Sequence, residues 1–136
     1  MGRMISKFQL QQEYVSNLVI FCGDKEVNDN EISLNNELAN KLLAIKESKR
    51  ALKMQDLIYE IVKSHGENII VRDIDIVFNP AYKIDVLKMF ETLYKSIKFS
   101  LIWPGTYNEC FLIYAEEGYK DYRKYDINNY DITCVY

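Results

Sequence analysis

The sequence predicts an α/β fold, a mainly parallel sheet with helices on both faces, and three observations carry that prediction. Residues 68–73 read as a strand, 84–97 as a helix and 99–103 as a second strand stopped by Pro104-Gly105. Such a strand–helix–strand unit has parallel strands and a right-handed crossover. Leu18-Val19-Ile20-Phe21-Cys22 is an unbroken apolar run ending at Gly23, the pattern of a strand covered on both sides. Between these two regions the apolar residues recur at helical spacing, so strands and helices alternate along the chain.

In chain order, Ile5, Phe8, Tyr14 and Val15 fall near helical spacing in the opening segment. After the strand at 18–22 comes a polar loop, 24–30, rich in turn formers. Residues 31–34 make a short strand candidate. Ser33, Asn35 or Asn36 can cap a helix running through Leu38, Leu42, Leu43 and Ile45, with Glu37 in its first turn favouring the dipole. A second helix over 54–64 gathers Leu57, Ile58, Ile61 and Val62 on one side, and His65-Gly66 ends it. Residues 74–78 lead to a break at Asn79-Pro80. Past Gly105, residues 110–115 form a strand, Glu116-Glu117-Gly118 a turn, 119–130 a polar tyrosine-rich connection and 131–135 a closing strand. The parallel sheet is expected to be made from 18–22, 68–73, 99–103 and these C-terminal strands, with 110–115 and 131–135 pairing antiparallel at one edge, since only a polar connection joins them.

At 136 residues without an internal repeat or linker, the chain reads as one domain, 1–136. It is long enough to bury about two-thirds of its unfolded surface. A net charge of −3 gives no general attraction to nucleic acid or an anionic membrane. No apolar run is long enough to span a bilayer and no leader pattern opens the chain, so a cytoplasmic location is expected. Cys22, Cys110 and Cys134 are odd in number, widely spaced and without neighbouring His ligands. They predict reduced strand cysteines rather than disulfides or a zinc site.

An apolar strand ending in glycine, followed later by an apolar strand ending in acids, is the skeleton of a P-loop nucleotide-binding domain. There the first strand leads into G-x-x-x-x-G-K-[ST], whose amides and lysine hold phosphates. Counted from Gly23, those positions hold Asn28, Asp29 and Asn30. A carboxylate stands where the lysine belongs, and the loop has no length for the helix that should follow. The predicted fold is therefore P-loop-NTPase-like with its P-loop helix missing.

Asn35-Asn36-Glu37-Leu38-Ala39-Asn40-Lys41-Leu42-Leu43 and Lys49-Arg50-Ala51-Leu52 resemble the region after the P-loop of BrxF, the small P-loop subunit of bacterial type 3 BREX phage-defence systems. The resemblance continues through Ile74-Asp75-Ile76-Val77-Phe78-Asn79-Pro80, Asp85-Val86-Leu87, Trp103-Pro104-Gly105, Tyr114-Ala115-Glu116 and Tyr119-Lys120-Asp121-Tyr122-Arg123. It covers nearly everything after Leu18, in order and at compatible spacing. The family's Walker B strand resembles hydrophobics followed by Asp-Asn-Ile-Glu. Anchored on Phe78-Asn79-Pro80, the comparison puts Arg72 at the magnesium-binding Asp, Asp73 at the Asn and Asp75 at the Glu. A one-residue slip restores Asp73 as the ligand, but only through an insertion or deletion that flips the strand's faces. An arginine cannot ligate Mg²⁺.

The resemblance thus implies a pseudo-ATPase, a protein-interaction subunit of a BREX-like antiviral system without catalytic residues, cofactor or metal. Its partners would be other defence proteins, such as the large BREX ATPase, or copies of itself, with no direct contact to nucleic acid or membrane. The alternative is an atypical nucleotide-binding ATPase or sensor using Gly23, Lys25, Asp73 and Asp75 to hold ATP and Mg²⁺. Asp73 and Asp75 can equally be two strand-end acids, one paired to Arg72, and His65 reads as a helix-terminal residue complementing the dipole. Trp103, Tyr119, Tyr122, Arg123 and Tyr125 are the partner-interface candidates, although Trp103 fits a core position at a strand end equally well.

Overall fold

The computed structural model describes residues 1–23 and 30–136. Six strands form one sheet in the order β1 (Arg3–Ile5), β9 (Ile132–Val135), β2 (Leu18–Phe21), β5 (Phe99–Ile102), β4 (Ile69–Arg72) and β3 (Glu31–Ser33). Every ladder in it is parallel. Four helices accompany the strands: α1 (Lys7–Gln12), α2 (Leu34–Leu43), α3 (Arg50–His65) and α4 (Val86–Tyr94). A separate antiparallel sheet holds β6 (Thr106–Tyr107), β7 (Phe111–Tyr114) and β8 (Arg123–Asp126).

Strand order fixes the layers. The steps β3→β4, β4→β5 and β5→β9 all run the same way across the sheet, whereas β1→β2 and β2→β3 run the other way. Right-handed crossovers therefore place α2, α3, α4 and the small sheet on one face and α1 on the opposite face. Side chains agree. Leu18, Ile20, Leu101, Phe99, Ile69 and Val71 point one way and are buried, and Phe90 and Tyr94 of α4 meet Phe99 edge-on. On the opposite side Val19, Phe21, Ser100 and Ile102 are only half-buried, and α1 buries none of its side chains. Helices do lie on both faces, but the substantial ones share one.

The helices on that face form for local reasons. Leu34, Leu38 and Leu42 recur every fourth residue in α2, and Met54, Ile58, Ile61 and Val62 make the buried stripe of α3. Asp85 caps α4, its Oδ1 accepting from the Lys88 amide. Gly66, at φ 106°, ends α3 in a conformation that L side chains avoid. The Arg50 Nε–H donates to the carbonyls of Leu42 and Ile45, satisfying the end of α2 from the start of α3.

Three expectations need correction. Residues 132–135 do not pair with 110–115. β9 inserts between β1 and β2, buried at all four positions, as suits an interior parallel strand. The partner of β7 is instead β8, inside the stretch read as a polar, tyrosine-rich connection. The opening segment begins with a strand, Arg3–Ile5, before a helix of only six residues. Between β4 and the break at Asn79-Pro80 lies a 3₁₀ turn, Asp75–Phe78, followed by a second, Pro80–Tyr82.

Candidate functional site

In an open parallel sheet, ligands sit beyond the carboxyl ends of the strands, where neighbouring strands send their connections to opposite faces. Here that point lies between β2 and β5. Gly23 ends the first and Trp103 the second, and the Trp103 amide donates to the Phe21 carbonyl at 2.8 Å. A methyl group placed on Gly23 would lie 3.4 Å from the Tyr136 backbone and 3.9 Å from the Tyr107 hydroxyl. The small sheet, through β6, thus stands beside the crevice that the topology creates. Lys25, Asn28 and Asp29 lie outside the described residues, so the geometry of the loop counted above is not defined.

The two acids at the end of β4 do not converge. Asp73 has left the strand in a left-handed conformation, φ 53°. Its Oδ2 accepts from the Ser33 hydroxyl at 2.5 Å and from Arg72 Nη1 at 2.6 Å, and its carbonyl accepts from the Asn35 amide at 3.0 Å. Asp73 therefore ties β4 to the junction of β3 and α2. This also explains why Ser33, at the capping position of α2, makes no cap: its hydroxyl is given to Asp73. Asn35 completes the knot, its Oδ1 accepting from the Ile76 amide. Asp75 faces elsewhere and accepts from the Tyr114 hydroxyl at 2.9 Å, on the small sheet. Arg72 is nearly half-exposed and reaches Glu31 at 3.9 Å as well as Asp73. It joins Asp73 and Glu31 at the surface, with no bridge to Asp75. So arranged, the carboxylates form no joint site for Mg²⁺, and Arg72 brings positive charge beside the one that the alternative alignment would use.

Between the two sheets runs an aromatic seam. Phe78 and Tyr114 stack with ring centres 3.7 Å apart. Trp103 meets Phe78 and Tyr125 edge-on at 5.6 and 6.0 Å, and Tyr125 meets Tyr130 in the same way. Trp103 is only 4% exposed, and its indole N–H donates to the carbonyls of Thr106 and Ile113. Tyr130 donates to both oxygens of Asp85. Two tyrosine–aspartate bonds therefore fasten the small sheet and the segment leaving it, Tyr114 of β7 on Asp75 and Tyr130, four residues past β8, on Asp85 at the start of α4. Burial first, then these carboxylates, push both phenols well above the ordinary range.

Among the interface candidates, Tyr125 is therefore corrected to a core position and Trp103 takes the core one of its two readings, the seam holding each from two sides. Tyr122 and Arg123 are half-buried, and Arg123 Nη1 donates to the carbonyls of Lys120 and Tyr122. Tyr119 alone of the five stands out, 66% exposed. Sequence reasoning missed Tyr114 and Tyr130 as clasps, since nothing in their spacing announces a carboxylate partner some forty residues distant.

His65 closes α3 as expected, and its Nε2 lies 2.5 Å from Glu37 on α2. All three cysteines are free thiols, with Cys22 and Cys134 buried and Cys110 exposed. Contact with the Cys22 thiol and then burial drive the Cys134 thiol far up. No helix among the described residues is long and apolar enough to cross a membrane. No protein-family model, curated protein or solved structure matches the chain.

Proposed function

We propose that this chain is a non-catalytic interaction subunit, a pseudo-ATPase of a BREX-like bacterial phage-defence system, acting in the cytoplasm through other proteins of that system or through copies of itself. The observation that carries the reading is the engagement of Asp73 and Asp75 by separate protein partners, Ser33 and Arg72 for one and Tyr114 for the other. Phosphoryl transfer needs a lysine and a metal-bound carboxylate aimed at the same phosphates. The sequence puts Asp29 at the lysine position, and the carboxylates are spent on fastening β3, α2 and the small sheet. The sheet order also supports kinship with nucleotide-binding folds, because the strand ending in Gly23 lies at the switch point and the acid-ended strand β4 lies one strand beyond β5.

Calorimetric titration with ATP and Mg²⁺ tests this reading. The expected result is no heat of binding at millimolar nucleotide. Micromolar binding lost on Asp73→Ala would instead assign the atypical nucleotide-binding role with Gly23, Lys25, Asp73 and Asp75.

A further inference from the structure

The turn between α2 and α3 carries a charge pattern unlike the rest of the molecule. Residues 41–53 hold five of the chain's 17 Lys and Arg but one of its 20 Asp and Glu. The side chains of Lys46, Lys49 and Lys53 are exposed and make no ion pair or hydrogen bond among the described residues. Arg50 is held against the end of α2, and Lys41 reaches Glu60 at 3.7 Å. Within the same segment, Leu43 and Leu52 are 76% and 78% exposed, two apolar side chains that the fold leaves uncovered. Exposed leucines carried on the same segment as unpaired lysines fit an acidic protein surface with an apolar anchor.

The chain itself displays such a surface elsewhere. After β7, Glu116 and Glu117 are exposed on a turn shaped by Ala115 at φ 61° and Gly118 at φ 96°. Neither carboxylate has a partner among the described residues, and Tyr119 projects beside them, 66% exposed. With Asp121 they outweigh Lys120.

We propose that the acidic turn at 116–119 of one copy docks on the basic corner at 41–53 of a second copy, Tyr119 between Leu43 and Leu52 and the glutamates against Lys49 and Lys53. The two surfaces differ, so the contact is head-to-tail, and each copy keeps one of each surface free for the next. This inference rests on the reading of the chain as an interaction subunit, and it names a copy of the chain as one partner. A nucleic acid fits less well: phosphates gain nothing from the leucines, and a long polyanion would meet the predominantly acidic remainder of the surface.

The test is sedimentation equilibrium of the full chain over a range of concentrations. The mass is expected to rise with concentration above 16.1 kDa at roughly 0.01 M salt, where charges act over ~30 Å, and to fall back at about 1 M, where they act over ~3 Å. Lys49→Glu with Lys53→Glu should give a monomer, and so should Glu116→Lys with Glu117→Lys. An equimolar mixture of the two doubly substituted proteins should associate again, because each then offers the charge that the other lacks. Circular dichroism checks that both variants are folded. A wild type that stays monomeric at low salt, association that survives either reversal, or a mixture that fails to associate would each overturn the proposal. So would a monomer whose corner binds a short oligonucleotide that Lys49→Glu with Lys53→Glu abolishes. Nucleotide binding by calorimetry bears on the function proposed above and leaves this contact untouched, so the two can fail separately.

Discussion

Tyr125 shows how a single side chain can be both well packed and poorly satisfied. Its ring is 7% exposed and touches Trp103 and Tyr130, yet its hydroxyl makes no well-formed hydrogen bond among the described residues, the Val86 amide lying near it without good geometry. An unsatisfied buried hydroxyl costs about 1–3 kcal/mol, so Tyr125→Phe should raise stability by about 1 kcal/mol, measured by urea unfolding. Burial, and then Asp85, push this phenol from its ordinary 10.0 up to about 12. The unfolded chain therefore loses the proton first. The stabilisation from holding it is complete below pH 10 and disappears as pH rises through about 12. It is on the order of 2 kcal/mol, and the Phe variant should lose correspondingly less stability over that range. The cysteines give a second prediction at this scale. A thiol-reactive reagent should label Cys110 rapidly in the native protein and reach Cys22 and Cys134 only on unfolding, because both are buried and the Cys134 thiolate is strongly disfavoured. Three equally fast thiols by mass spectrometry would contradict this packing.

At the scale of elements, the attachment of the small sheet is the feature most open to test. Gly105 joins β5 to β6 so closely that an added Cβ would lie 2.0 Å from the Ile113 carbonyl oxygen, a backbone atom with no freedom to withdraw. Gly105→Ala should therefore destabilise the protein by about 2 kcal/mol or more, with proteolysis beginning in the small sheet before the main one. The same elements show what the sequence could reveal. β2, β4, β5 and α2 to α4 were legible because their apolar residues run unbroken or repeat with the period of the element, and Gly23, Gly66 and Pro104 mark the ends of three of them. β1 is three residues long, too short to set a period. β8 reads Arg-Lys-Tyr-Asp and contributes a single buried side chain, Tyr125, so it lacks the apolar run that marked the other strands. β9 was recognised as a strand of the main sheet but given the wrong neighbour, since the choice between an adjacent hairpin and a distant parallel ladder depends on partners far along the chain. For the candidate site, the acids at 73 and 75 were visible, but their partners Ser33 and Tyr114 come from other layers and appear only once the chain is folded.

For the molecule as a whole, the asymmetry between the two faces of the main sheet governs where stability resides. On one face α2, α3, α4 and the small sheet cover Leu18, Ile20, Leu101 and Phe99 almost completely. On the other, Val19, Phe21, Ser100 and Ile102 are only half-buried, and α1 contributes no buried side chain. Burial energy scales with apolar area removed from water, so substitutions on the two faces should differ sharply. Leu101, fully buried beneath the helices, should cost about 3 kcal/mol when changed to Ala. Phe8 on α1 is larger but 71% exposed, and Phe8→Ala should stay within about 0.5 kcal/mol of the parent. Urea midpoints for the two variants, with the unfolding slope held equal, make the comparison. Similar losses at both positions would mean that α1 is packed far more tightly than its exposure indicates, and that the two faces bear comparable loads.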